Sequence, residues 1–142
     1  MIIDVHTHVF TSNRPFSATF LAEASRARST PIDMITRYAD YRATAANCDV
    51  TICFGGKAHL VGLWVDDQDV ADYVKQDPAR LIGFLSLDPT QPNWQAEMEY
   101  GHQELGLQGI KLMPMYAGFL PQDEQLDPLW CYAQQHNLPV LL

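Results

Sequence analysis

Short apolar runs alternate along this chain with segments whose apolar residues recur at helical spacing. Ile2-Ile3-Asp4-Val5 opens as a strand and reaches His8 before Thr11-Ser12-Asn13-Arg14-Pro15 ends it. An irregular stretch is expected from about Thr11 to Ser29. Thr30-Pro31-Ile32-Asp33 then offers a cap, a first-turn proline and an acid, predicting a helix to about Asn47. Val50 to Phe54 reads as a second, buried strand closed by Gly55-Gly56. Asp66, Asp67 and Asp69 place acids at a helix N-terminus, with Val70, Tyr73 and Val74 as its apolar face and Pro78 as its stop.

Leu81 to Leu87 is the third predicted strand. Trp94, Met98, Gly101 and Leu105 then fall on one helical face, with Gly106 placed for a left-handed cap. Gly109 to Met113 is the fourth strand. Asp127-Pro128 starts a helix that ends near Asn137, and Pro139-Val140-Leu141-Leu142 begins a fifth strand. Strands alternating with helices predict an α/β fold with a parallel sheet. About five strands and four helices are expected, in one domain spanning residues 1–142. The chain stops inside an apolar strand, so it reads as the leading part of a longer architecture.

Composition narrows the partners. Nine Lys and Arg against 17 Asp and Glu give a net charge of −8, and the basic residues are scattered, which excludes a phosphate-binding surface for nucleic acid. No apolar run is long enough to span a bilayer. Three cysteines without a CxxC pair suit reduced thiols, with Cys53 a small core residue, and the chain is expected in the cytoplasm. A small-molecule substrate is the expected partner. Open sheet edges leave association between copies as a further expectation.

Candidate chemistry concentrates at Asp4-Val5-His6-Thr7-His8. Side chains alternate along a strand, so His6 and His8 project to one side and form a two-armed chelate at the strand's C-terminal end. Strict alternation puts Asp4 on the same side one pleat deeper, as a hydrogen-bonding support for the ligands rather than a ligand. The motif alone is shared with phosphoesterases that begin with a similar HxH, which gives a phosphoester hydrolase as the alternative enzyme. A stand-alone, non-catalytic α/β binding domain is the alternative outside enzymes.

Taken together, Ile3-Asp4-Val5-His6-Thr7-His8, Ile82-Gly83-Phe84 through Asp88-Pro89, Gly109-Ile110-Lys111-Leu112-x-Pro114 and Leu138-Pro139-Val140-Leu141-Leu142 resemble the amidohydrolase-related branch of the amidohydrolase superfamily. The resemblance implies the N-terminal part of a (β/α)8 TIM barrel, ending within strand five, with its site at the C-terminal face. It also implies a divalent metal, usually zinc, held partly by His6 and His8. A further histidine and a proton-transfer aspartate would be expected beyond residue 142. The implied reaction is hydrolysis or decarboxylation of a small carboxylated substrate, aromatic acids and lactones included. Lys111 is the candidate to bind the substrate carboxylate. Phe10 and, from the segment after the second strand, His59 are candidate substrate-binding residues, with Arg14, Trp64, Tyr116 and Phe119 also in or beside loops at that face. Met113 stands where relatives often carry a histidine. His102 and His136 are expected to be structural.

Overall fold

A computed structural model describes residues 1–26, 28 and 33–142. Five parallel barrel strands follow one another in chain order. β1 (Ile3–His8) pairs with β2 (Val50–Phe54). The strand from Leu81 to Leu87 comes next but in two pieces, separated by β3 (Lys57–Ala58) and β4 (Leu63–Trp64), an antiparallel pair in the connection after β2. Its first piece, β5 (Leu81–Gly83), pairs with β2, and its second, β6 (Leu85–Leu87), pairs with β7 (Ile110–Leu112). The ladder changes hands at Phe84, whose N–H donates to the Cys53 carbonyl while the next N–H, of Leu85, donates to Gly109. A Cβ on Gly109 would lie 2.5 Å from the Phe84 ring, so glycine lets the ring sit at that break. β8 (Val140–Leu141) pairs with β7.

Helices cover the outer side of this sheet. α3 (Asp67–Val74) is capped by Asp66, whose carboxylate accepts the Gln68 N–H. α4 (Trp94–Gln103) packs its buried Met98 and Gly101 inward, and Gly101 leaves the space that lets the helix close on Leu85. α6 (Asp127–His136) begins with Pro128 in its first turn and ends at Asn137 in a left-handed cap. Buried Leu85, Leu87, Ile110, Leu112, Leu126 and Leu129 make the main core between sheet and helices. A second cluster, of Val9, Cys53, Tyr73 and Leu81, fills the layer beneath α2 (Tyr38–Thr44) and α3.

Four features depart from the sequence reading. The helix expected from Thr30 begins only at Tyr38; residues 30–32 lie outside the described residues, and 33–37 form no helix or strand, with Arg37 extended just before the helix. Tertiary bonds override the local propensity there. The Thr36 N–H donates to Phe10, and the Thr36 hydroxyl donates to the His8 carbonyl, so the segment straps the end of β1. The stretch expected to be irregular contains α1 (Ala18–Arg26), capped by the Ser17 hydroxyl. The β3–β4 pair follows Gly55-Gly56, and a short α5 (Pro114–Ala117) follows the fourth barrel strand. Among the described residues, no helix is long and apolar enough to cross a membrane.

Candidate metal centre and substrate pocket

β1 is not a regular strand. Ile3 and Asp4 pair with Val50 and Thr51, but Thr7 and His8 pair with Cys53 and Phe54, so two residues, Val5 and His6, stand against Ile52 alone. This bulge shifts the side-chain phase. Asp4 consequently leaves the side of the histidines, correcting its expected placement among them. Its carboxylate accepts the Thr7 hydroxyl at 2.7 Å and the Tyr41 hydroxyl at 3.2 Å, and Tyr41 also bonds Thr51. The contact with the histidine motif is through main chain, because the same carboxylate accepts the His6 N–H at 3.0 Å. Burial works against the charged form of Asp4, but these hydrogen bonds prevail and hold its pKa below the ordinary value.

Past the bulge, His6 and His8 turn together onto the other side of the sheet, with ring centroids 5.2 Å apart. Two imidazoles on one tetrahedral ion, with metal–nitrogen bonds of about 2.0–2.1 Å, have centroids roughly 5 Å apart. The separation therefore fits a shared ion. His8 Nδ1 lies 2.7 Å from the Gly55 carbonyl. That oxygen only accepts, so Nδ1 carries the proton and Nε2 keeps its lone pair for a metal, the tautomer a ligand needs. Burial is the main influence that pushes the His8 pKa below its ordinary value, against the hydrogen bond to the Gly55 carbonyl, which favours the charged ring. The donor chemistry fits a divalent ion. It supplies two arms only: among the described residues no group of three or more His, Cys, Asp and Glu side chains could hold one.

Phe54, fully buried at the end of β2, is the support on which the site rests. Both histidine rings meet it edge to face, at 5.1 and 4.8 Å, and the Lys111 ammonium lies 5.2 Å from its centroid. Sequence reasoning passed over Phe54 as one more apolar strand residue. The signal that could have found it is register, since parallel pairing sets it opposite His8. Lys111 shares a cavity of about 300 Å³ with His6, His8, Met113, Met115 and Tyr116. Burial lowers its pKa, and it forms no salt bridge among the described residues.

Two expected binding residues stand elsewhere. Phe10 is buried, stacked on His8 at 5.5 Å and packed against Phe16, so it braces the His8 ring from behind and does not line this cavity. His59 lines a separate cavity, its main-chain N–H held by the buried Asp88 carboxylate. Arg14 and Trp64 line a third, while Tyr116 reaches the histidine cavity. His102 and His136 meet at Tyr132 between α4 and α6, away from His6 and His8.

The amidohydrolase family model matches residues 3–142. The chain belongs to the amidohydrolase family. Among solved structures, this amidohydrolase chain is similar to a TIM-barrel protein from Bordetella bronchiseptica, at 18% identity and a TM-score of 0.67 over 98% of this chain and 53% of that one. It is also similar to 5-carboxyvanillate decarboxylase from Novosphingobium aromaticivorans, solved with manganese and a nitrobenzoic acid, at 18% identity and a TM-score of 0.69 over 99% and 49%. A third similar structure is 2,6-dihydroxybenzoate decarboxylase from Rhizobium, at 14% identity and 0.65 over 98% and 48%. These likenesses establish the fold, part of a TIM barrel, and the chain spans about half the length of the structures it matches. No curated protein matches the chain.

Proposed function

We propose that this amidohydrolase chain carries the metal-binding and carboxylate-binding half of a metal-dependent enzyme that hydrolyses or decarboxylates a small carboxylated substrate. His6 and His8 would hold the ion, zinc being the divalent metal that suits imidazole nitrogen and few protein ligands. The observation that carries the reading is the His8 hydrogen bond to Gly55, which frees Nε2 beside His6 and in the same cavity as Lys111. When bound, such an ion supplies a Lewis acid and an acidified water. The chain's own residues do the rest of what is available here. Lys111, without a carboxylate partner among the described residues, would take the substrate carboxylate, and Phe54 fixes the spacing of lysine and histidines. Among the described residues no third His, Cys, Asp or Glu joins the pair to complete a metal site.

Decarboxylation of an aromatic acid is the finer reading, supported by two structurally similar proteins that decarboxylate such acids. The three free cysteines support a reducing, cytoplasmic setting. Calorimetric titration of zinc into the metal-free chain tests the ligand assignment. His6→Ala and His8→Ala should each weaken binding by at least about tenfold. Submicromolar affinity that survives both changes would remove the assignment. With metal bound, 2,6-dihydroxybenzoate should bind, and Lys111→Met should weaken that acid while leaving metal affinity alone.

A further inference from the structure

A cavity of about 680 Å³ lies beside the proposed centre, walled by α1, by the turn His59-Leu60-Val61 and by Tyr116. It exceeds any packing void and falls within the ordinary size of small-molecule sites. Its walls show that it is no accident of loose packing. α1 buries none of its residues, yet turns Phe20 and Ala24 onto this space. Opposite them Leu60 is 72% exposed and Tyr116 49% exposed. Apolar groups from separate elements thus front one empty volume, the kind of exposed apolar patch that marks an interaction or ligand-binding site. The helix is held in place by main chain, Ser17 N–H donating to Gly62 and Trp64 N–H to Pro15, so the walls stand without a ligand.

Tyr116 also lines the cavity of His6, His8 and Lys111. The two spaces therefore share a wall, one holding Lys111 and the two histidines, the other mostly apolar, with Glu23 and His59 among its polar residues. We infer that the substrate is an aromatic carboxylate bearing an apolar chain of several carbons, with its acid group at Lys111 and the histidine pair and its chain across Tyr116 in the larger cavity. This identification of substrate class rests on the function proposed above, whereas the apolar site itself stands on geometry alone.

The test compares benzoate with 4-butylbenzoate on the zinc-loaded chain by calorimetry. Each buried methylene strengthens binding by about fourfold, so the butyl group should gain at least about tenfold. Ala24→Trp, which fills the cavity, and Leu60→Ser, which strips its exposed wall, should each bring the ratio of the two affinities towards one. A thermal melt checks that both variants fold, and the exposed Leu60 change keeps the comparison available if the tryptophan disturbs α1. A parallel arm uses n-butylbenzene with the His6→Ala/His8→Ala double variant, observed by ligand NMR. Binding there that Ala24→Trp abolishes supports the apolar site even where the carboxylates fail to bind, which locates the failure in the metal-centre reading. A butyl group that adds nothing, a gain that survives both cavity variants, or no binding by either class overturns the inference.

Discussion

At the residue scale, Asp4 is tied to the histidine motif through the chain itself. One carboxylate closes a bulge by taking the His6 N–H and the Thr7 hydroxyl, so losing it should let the ligand segment relax towards a regular strand, with its side chains rephased. Asp4→Ala should lower zinc affinity by about tenfold and destabilise the fold by about 1–3 kcal/mol, with Asp4→Asn intermediate in both because it retains an acceptor. Calorimetry and urea denaturation check the pair of effects; equal losses in the two variants would argue that charge, not the backbone bond, matters. His8 gives a pH prediction. Its folded pKa lies below the ordinary 6.5, so the unfolded chain binds more protons between the two values. Stability should fall as pH drops from about 6.5 towards the folded pKa and level off below it, and His8→Asn should remove that slope in melts across the range. The histidine pair was legible in the sequence because it needs only a strand's period of two. The placement of Asp4 was not, because a bulge depends on pairing with β2, and Phe54 and Gly55 join the site only through that same register.

At the element scale, the sequence showed α3, α4 and α6 through caps, prolines and apolar spacing, and those helices are where they were expected. Asp67 stands in the first turn of α3 as expected, yet a place among helix-start acids predicts a solvated carboxylate. Asp67 is instead buried, pairs with Lys57 at 2.8 Å, and accepts the Ser86 N–H just past the break in the third barrel strand. Lys57 also meets Glu97 at 2.8 Å, so the β3–β4 pair, α3 and α4 converge on one ammonium. Burial would depress the Lys57 pKa, yet the two carboxylates hold it above its ordinary value. Lys57→Met leaves a buried carboxylate uncompensated and should cost about 3–5 kcal/mol. Adding Asp67→Asn should restore part of that stability, since the amide has no charge to strand and keeps an acceptor for Ser86. Urea denaturation of the single and double variants measures the coupling, and additive losses would show that the ion pair contributes nothing. Such convergence of distant segments carries no local sequence signal, which is why the connection after β2 was read only as a closing Gly-Gly.

At the scale of the whole molecule, the order of elements was legible because each strand-helix unit is written locally, while the openness of the sheet follows from what pairs with what. Among the described residues β1 pairs only with β2, and β8 only with β7, so the five-strand sheet presents two free edges. On β1, Ile3 is 49% and Val5 53% exposed beside the proposed metal ligands. Unpaired N–H and C=O groups next to exposed β-branched side chains are a template for pairing with another chain. The 142-residue chain should therefore associate with itself as concentration rises, the net charge of −8 slowing but not preventing it. Val5→Lys places a charge on that strand, where edge lysines oppose pairing, and it lies outside both the Gly55 hydrogen bond of His8 and the carboxylate network of Asp4. Light scattering over a concentration series should show a lower apparent mass for Val5→Lys than for the parent chain. If the variant associates as strongly as the parent, β1 is not the adhesive edge, and the same substitution at Leu142, 56% exposed beside β8, becomes the next to measure.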